Sequence, residues 1–84
     1  MSKLFKLMII TPEKTIYDGE AASLVAPSEL GYLGILADHA PLVANLVAGK
    51  VAVKKENGEA LVFDNLAKGF LDVLNNNVTM ILKK

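Results

Sequence analysis

The sequence lacks cysteine, arginine and tryptophan, and His39 is its only histidine. Without cysteine, disulfides, thiolate metal sites and cysteine nucleophiles are all excluded. Arginine is the side chain best suited to bidentate capture of phosphates and carboxylates. Because arginine is missing and the formal net charge at pH 7 is +0, we expect no nucleic-acid partner.

Long apolar runs are also missing. No stretch approaches the roughly 20 residues that a membrane-spanning helix needs, and the first apolar run meets Pro12 and Glu13 too early for a signal peptide. We therefore expect a soluble chain without direct membrane insertion, folded as a single domain over residues 1–84. Since 52% of the residues are hydrophobic and a small core is thin, some apolar side chains should remain outside, as they do at partner surfaces.

Short apolar runs bounded by turn residues predict an all-β fold, either a sandwich or a barrel. Val51 and Val53 alternate with polar or small residues in the clearest of these runs. Asn57-Gly58 is the strongest hairpin signal, because this pair tolerates the positive φ angles of a tight turn. A helix over 40–48 is the alternative for that segment. The predicted strands are 4–10, 15–17, 23–26, 31–36, 42–47, 51–54, 61–64, 70–74 and 78–82.

His39 is the first candidate for a general base, and it follows Asp38 in a predicted turn. Neighbours in a turn or strand tend to point their side chains apart, no second histidine exists for a metal site, and no serine has a nucleophile-elbow context. The carboxylates lie scattered at turns and solvent faces, without a catalytic pair. The residues thus predict no catalytic, cofactor or metal site, and His39 is interpreted as a locally bonded turn or interface histidine.

Tyr32 lies between Gly31 and Gly34, in a segment rich in bend signals. No glycine-rich phosphate cradle or P-loop lysine accompanies these glycines, so we interpret them as backbone requirements of a bend or bulge. The Tyr32 ring is either an exposed interface anchor or a core side chain with its hydroxyl at the rim.

Five stretches carry a further signal: PEKTIYDG (12–19), GYLGI (31–35), HAPL (39–42), GFLDV (69–73) and NVTMIL (77–82). In order and spacing they resemble the N-terminal domain of the epsilon subunit of F-type rotary ATP synthases, a subunit called delta in mitochondria. Each stretch alone is weak evidence, but together they cover nearly the whole chain. Where that family often has an acidic residue before Leu-Gly-Ile, this chain has Tyr32, so an aromatic replaces a charged contact.

The resemblance implies a flattened ten-stranded β-sandwich that does no chemistry and binds no cofactor. It implies a central-stalk subunit of a proton-translocating complex, which turns between the gamma subunit and the polar loops of the membrane c-ring. It also implies a peripheral position on the cytoplasmic face of the bacterial inner membrane. The family's C-terminal helical hairpin, which can brake ATP hydrolysis, has no counterpart in this sequence, so we expect no C-terminal helical domain and no braking.

Two sets of partner-contacting residues are expected on this basis. The set on the c-ring side is Glu29, Leu30, Gly31 and Tyr32, and the set on the gamma side is Thr11, His39, Ala40 and Leu42.

Two other functions are compatible with a small all-β chain. A biotinyl- or lipoyl-type carrier presents one lysine at a hairpin tip, and Lys55 beside Glu56-Asn57-Gly58 is the candidate. Lys54 and Glu56 stand where a carrier usually has Met or Asp, which weakens this alternative. An unspecialised β-sandwich interaction module would show no affinity for a gamma subunit.

Overall fold

The strands follow the alternation of apolar and polar side chains. In the first strand Phe5, Leu7 and Ile9 are buried while Lys6 and Met8 face outward, as expected for a strand with one face on a core. The computed structural model describes residues 3–83. Its strands are β1 (Phe5–Ile10), β2 (Thr15–Ala21), β3 (Ser23–Ser28), β4 (Gly31–Leu36), β5 (Leu42–Leu46), β6 (Gly49–Lys54), β7 (Ala60–Asn65), β8 (Lys68–Leu74) and β9 (Asn77–Lys83).

The all-β prediction is confirmed, and each predicted run coincides with one strand. Residues 3–83 form nine strands, one fewer than the ten that the family resemblance implies. The segment for which a helix was the alternative contains β5, so that alternative is wrong. The predicted domain also takes in residues 1, 2 and 84, which lie outside the described residues.

The nine strands within residues 3–83 form one continuous sheet, which folds over between β5 and β3 into the two layers of a sandwich; each layer is called a sheet below. One sheet has the order β2-β1-β9-β8-β5 and the other has β7-β6-β3-β4. They join where the end of β3 crosses over, with Ser28 opposite Leu46. The first and last strands, β1 and β9, run parallel side by side, with Leu7 opposite Val78. The first and last strands thus lie next to each other inside the five-stranded sheet.

The core lies between the two sheets and is built from their inward-facing side chains. Burying a large aliphatic side chain stabilises a fold by roughly 1.5–3 kcal/mol, and interdigitated side chains hold the sheets in one arrangement. The largest fully buried side chains are Phe5, Leu7, Ile9, Leu24, Ile35, Leu46, Val51, Val53, Leu71, Val73 and Met80.

Two asparagine-containing turns have different geometries. Asn75 and Asn76 both have positive φ, 49° and 60°, and they form the two-residue turn that opens β9, because Leu74 pairs with Asn77. This is the geometry that favours tight hairpins. In the predicted Asn-Gly turn only Gly58 has positive φ, 91°, and its N–H donates to the Lys55 carbonyl at 3.1 Å. That turn is a longer loop with a glycine bulge.

Candidate partner-binding surfaces

The four residues predicted for the c-ring side are contiguous at the tip of the β3–β4 hairpin. Leu30 is 98% exposed there, and Gly31 takes a φ of 120°, a conformation that glycine adopts without strain. Ser28 stabilises the tip, because its hydroxyl accepts a hydrogen bond from the Leu30 N–H at 3.2 Å and donates to the Gly31 carbonyl. The hairpin therefore holds an apolar side chain out into solvent on a well-bonded turn.

Tyr32 is an exposed side chain with a fixed position. Its ring is 62% exposed, and its hydroxyl accepts a hydrogen bond from the Lys50 N–H at 3.4 Å. A Cβ at Gly49 would lie 3.2 Å from that hydroxyl and 2.8 Å from the Pro27 Cβ, so glycine at this position leaves room for the close approach. Of the two interpretations left open by the sequence, the structure supports the exposed one, since the ring lies on the outside of the sheet.

The hairpin tip is tied to β5. Glu29 donates its N–H to the Asn45 carbonyl at 3.2 Å, and its carboxylate accepts from the Asn45 side-chain amide, also at 3.2 Å. Leu30 and Leu42 line one shallow cleft beside this contact. Leu42, predicted for the gamma side, is therefore next to residues predicted for the c-ring side.

His39 and Ala40 precede β5 in a turn at the end of the sandwich. The His39 Nδ1 lies 2.7 Å from the Ala40 carbonyl, and since a carbonyl only accepts, Nδ1 carries the proton. His39 is half-buried and lines a small cleft with Pro41 and Asn75. Its geometry is that of a locally bonded turn histidine.

Thr11 lies at the opposite end of the five-stranded sheet from His39. Thr11 follows Ile10, which pairs with Ile81 near the end of β9. His39 lies shortly before Leu42, which pairs with Val73 of β8, and Val73 in turn pairs with Val78 near the start of β9. The Thr11 hydroxyl accepts from the Lys14 N–H at 3.1 Å and closes the β1–β2 turn. The four residues predicted for the gamma side therefore do not form one continuous surface.

A polar clasp at the His39 end joins the start of the chain to the turn before β5. Lys3 contacts Asp38 at 2.7 Å, and Asn76 donates its side-chain amide to Asp38 at 2.9 Å. The hydrogen bond and charge of Lys3, with the hydrogen bond from Asn76, hold the pKa of Asp38 below its ordinary value of 3.8. The same contact raises the pKa of Lys3 above 10.5.

Replacing Asp38 with asparagine should reduce the loss in the free energy of unfolding that occurs as the pH falls into the acid range. The folded-state pKa of Asp38 is depressed, so its contribution is present above 3.8 and is lost as the pH falls through the folded value. The effect should be small, because both partners are exposed. Urea unfolding of wild type and Asp38→Asn from pH 6 to pH 2 measures it. If the free energy of unfolding falls equally steeply with pH in the two proteins, the clasp contributes no pH dependence.

The sequence analysis missed an apolar patch on the outer face of the five-stranded sheet. Val43 is 73% exposed there, and Phe70 is partly covered by the Lys83 ammonium, 4.7 Å from its ring centre. The sequence does contain a signal for this patch, because these strands carry apolar residues at outward-facing as well as inward-facing positions. The outer apolar patch consists of Met8, Ile10, Val43, Phe70 and Ile81. Ile10, Ile81 and Phe70 are cross-strand neighbours, while Met8 and Val43 lie in the next row, opposite Thr79 and Asp72.

Lys55 does not project as a carrier lysine would. It is half-buried, its N–H bonds the Glu59 carbonyl at 2.8 Å, and its ammonium lies 5.9 Å from the centre of the Tyr17 ring. A carrier lysine must swing a prosthetic group between sites, whereas this side chain rests against an aromatic face. The position weighs against the carrier hypothesis.

Residues 3–83 hold no group of three or more histidine, aspartate or glutamate side chains placed to bind a metal ion. Over the same span, no helix has the length and hydropathy needed to cross a bilayer. The features that stand out are therefore surfaces: the β3–β4 tip, the His39 end and the outer apolar patch.

Comparison with known proteins gives a consistent result. Residues 4–84 match the family model described as ATP synthase, Delta/Epsilon chain, beta-sandwich domain. The ATP synthase epsilon chain of Dichelobacter nodosus is 40% identical over 82 residues, covering 98% of this chain and 56% of that protein. The sodium ion specific ATP synthase epsilon chain of Propionigenium modestum is 40% identical over 78 residues, covering 93% and 55%. The chain thus spans about half the length of the curated relatives it matches.

A solved structure supports the fold independently. A chain in the Euglena gracilis mitochondrial ATP synthase, described as OSCP/F1/c-ring in rotational state 1, superposes with a TM-score of 0.87. The sequence identity is 22%, and the match covers 94% of this chain and 50% of that one. At this identity the likeness is one of fold.

Proposed function

The chain belongs to the ATP synthase delta/epsilon-chain β-sandwich family, and on that premise we propose that it is a non-catalytic central-stalk domain of an F-type ATP synthase. In this function it binds the gamma subunit and the c-ring and turns with them, so that ion flow through the membrane is coupled to ATP synthesis. The observation that carries the proposal is the family match over residues 4–84.

The geometry suits a mechanical part. A stalk element must transmit torque without slipping, and each elementary charge that crosses 100 mV supplies about 2.3 kcal/mol. Two sheets locked by interdigitated core side chains form a stiff block. Exposed apolar side chains remain on its outside, among them Leu30 at the hairpin tip and Val43 on the outer apolar patch. Such side chains fit an interface in which a few anchors supply most of the binding energy.

Glu29, Leu30, Gly31 and Tyr32 are proposed to contact the c-ring. Support comes from their contiguity at one tip and from the exposure of Leu30 and Tyr32. On the gamma side we retain His39, Ala40 and Leu42 around the start of β5, where Leu42 also borders the β3–β4 tip. Thr11 lies at the other end, so we propose that it contacts a different part of the gamma subunit.

Replacing Tyr32 with alanine should weaken retention on the membrane sector about tenfold or more, as expected for an exposed aromatic anchor. The isolated fold should survive, since the ring is largely exposed and outside the core. Binding to vesicles that contain gamma and the c-ring measures retention, and urea unfolding measures the fold. Val62→Ala is the control, because Val62 is also exposed on the outer face but lies on β7, away from the tip.

Unfolding of Tyr32→Ala would show that the ring serves the fold. Unchanged retention, with the fold intact, would remove Tyr32 from the interface. An interaction module of another kind would show no affinity for gamma even as wild type.

The coupling ion is proposed to be the proton, although one relative is named sodium ion specific. ATP synthesis by the reconstituted complex should stop when a protonophore is added and should not change when sodium is removed. If ATP synthesis requires sodium, sodium and not the proton is the coupling ion.

We further propose a peripheral position on the cytoplasmic face of a bacterial inner membrane. The chain should then sediment with membranes and be released without detergent.

A further inference from the structure

The loop between β6 and β7 contains an asparagine with an unusual neighbour. Of the asparagines in the chain, Asn57 alone is followed by glycine, and the others precede Leu46, Leu66, Asn76, Asn77 and Val78. The neighbour matters because its backbone nitrogen can attack the side-chain carbonyl carbon of the asparagine, and a Cβ on the neighbour hinders this approach. Glycine has no Cβ, so the attack at Asn57 is unhindered.

The structure leaves this pair of residues open to water. Residues 56–60 are exposed in the loop that joins β6 to β7. Apart from its chain neighbours, no atom of residues 3–83 lies within 4 Å of the place where a Cβ at Gly58 would stand. Water can therefore reach both the attacking nitrogen and the side chain, where it carries protons between them.

The hydrogen bonds of the loop favour attack on the Asn57 side chain. Its Oδ1 accepts a hydrogen bond from the Glu59 N–H at 2.9 Å, and its Nδ2 donates to the Glu59 carboxylate at 3.1 Å. When a nucleophile adds to a carbonyl carbon, negative charge develops on the oxygen, and a main-chain N–H placed at that oxygen stabilises it. The loop thus holds the side chain in place and supplies one such donor.

One hydrogen bond opposes the reaction. The Gly58 N–H donates to the Lys55 carbonyl at 3.1 Å, so this bond must open before the nitrogen can turn towards Asn57. Opening one hydrogen bond of ordinary net strength slows a reaction about twofold to tenfold relative to the unfolded chain. The folded loop therefore delays the attack without preventing it.

We propose that Asn57 is a site of spontaneous covalent modification, at which the folded chain converts asparagine to aspartate and isoaspartate. The Gly58 nitrogen gives up its proton and forms a bond to the Asn57 Cγ. The bond from Cγ to Nδ2 breaks, and Nδ2 leaves as ammonia with that proton, so a cyclic imide remains. Water then adds to one of the two imide carbonyls and opens the ring, giving aspartate or isoaspartate according to which bond to the Gly58 nitrogen breaks.

The products change the charge and the length of the loop. A carboxylate at position 57 removes the donor to Glu59 and places two negative groups side by side. In isoaspartate the main chain runs through the former side chain and is longer by one carbon, although the loop still spans the fixed pair of Lys54 and Ala60. The bond from the Lys55 N–H to the Glu59 carbonyl, 2.8 Å long, closes this loop and is the bond that the change weakens.

Incubation of the full chain at mildly alkaline pH, folded and in parallel unfolded in urea, tests the proposal by peptide mapping and mass spectrometry. Each conversion replaces the NH₂ of an amide with OH, and the aspartate and isoaspartate peptides separate by chromatography. We expect conversion at Asn57 before any other asparagine. The folded chain should react about twofold to tenfold more slowly than the unfolded one.

Asn57→Gln supplies the matched control. It keeps the side-chain amide, but its longer side chain has to close a larger ring, so position 57 should show no conversion over the same time. Asn57→Asp places the carboxylate there directly. In this variant the Lys55 amide should exchange with solvent about twofold to tenfold faster than in wild type, because its bond to Glu59 is weakened.

Earlier conversion of another asparagine, such as the exposed Asn75, would overturn Asn57 as the site. Conversion of Asn57 in urea without any in the folded chain would show that the loop protects it, and would also overturn the proposal. Neither result bears on the stalk function, which the binding experiments test separately.

Discussion

Replacing Gly69 with alanine is expected to destabilise the domain by roughly 3 kcal/mol or more, a large effect for a single methyl group. A Cβ at this position in β8 would lie 2.0 Å from the backbone oxygen of Ile81 and 3.0 Å from the Leu82 Cα. Backbone atoms of a paired strand cannot rotate away, so β8 and β9 would have to separate. A domain of this length has a total stability of roughly 4–13 kcal/mol.

Urea unfolding measures the effect as a lower midpoint with an unchanged slope. Gly34→Ala is the control, since a Cβ there meets nothing within 4 Å, and it should change the stability by less than about 0.5 kcal/mol. Equal midpoints for Gly69→Ala and wild type would mean that β8 and β9 are not as close as described.

Replacing Asn65 with leucine is expected to cost about 2–4 kcal/mol. Asn65 is one of the few buried polar side chains. Its amide donates to the carbonyls of Val47 and Ala67 at 3.2 and 2.7 Å, and its oxygen accepts from the Ala67 N–H at 3.0 Å. Leucine has the same branched shape but cannot form hydrogen bonds, so these backbone groups lose their partner. Such groups are costly because they have already lost their water.

The unfolding midpoint again measures the loss, and Asn45→Leu is the matched control. Asn45 is exposed, and its amide bonds only the exposed Glu29 carboxylate, so its replacement should cost less than about 1 kcal/mol. If both substitutions have the same effect, the hydrogen bonds of Asn65 to Val47 and Ala67 do not stabilise the fold.

The sequence predicted the strands well because each has its own local signal. The alternation of burial in β1 and β8 follows directly from side chains at successive positions. The prediction ended the second strand at residue 17, but β2 continues through Asp18 and Gly19 to Ala21. There Asp18 pairs with Met8 and Gly19 with Leu7, so a neighbouring strand overrides the local turn preference.

The surfaces were predictable only in part. Glu29, Leu30, Gly31 and Tyr32 are consecutive, so a hairpin brings them together wherever it lies. Thr11 and His39 are far apart in sequence, and their separation depends on the parallel register of β1 with β9. No local pattern encodes that register, since it depends on contacts between the first and last strands.

The absence of charged residues on β4 becomes informative only once the fold is known. The uncharged segment from Leu30 to Ala37 is visible in the sequence, but the same pattern would suit a buried central strand. The topology places it at an edge, paired with β3 on one side. Sequence and topology together identify β4 as an uncharged strand at a sheet edge, which neither shows alone.

Native mass spectrometry of an F-type ATP synthase stripped of its own epsilon chain tests the central-stalk function most directly. With the chain added, we expect one copy per complex, displaced by the full-length epsilon chain of the same complex because both occupy one site. A complex that takes up no copy, or one that holds the chain and the full-length epsilon chain together, would contradict a stalk position.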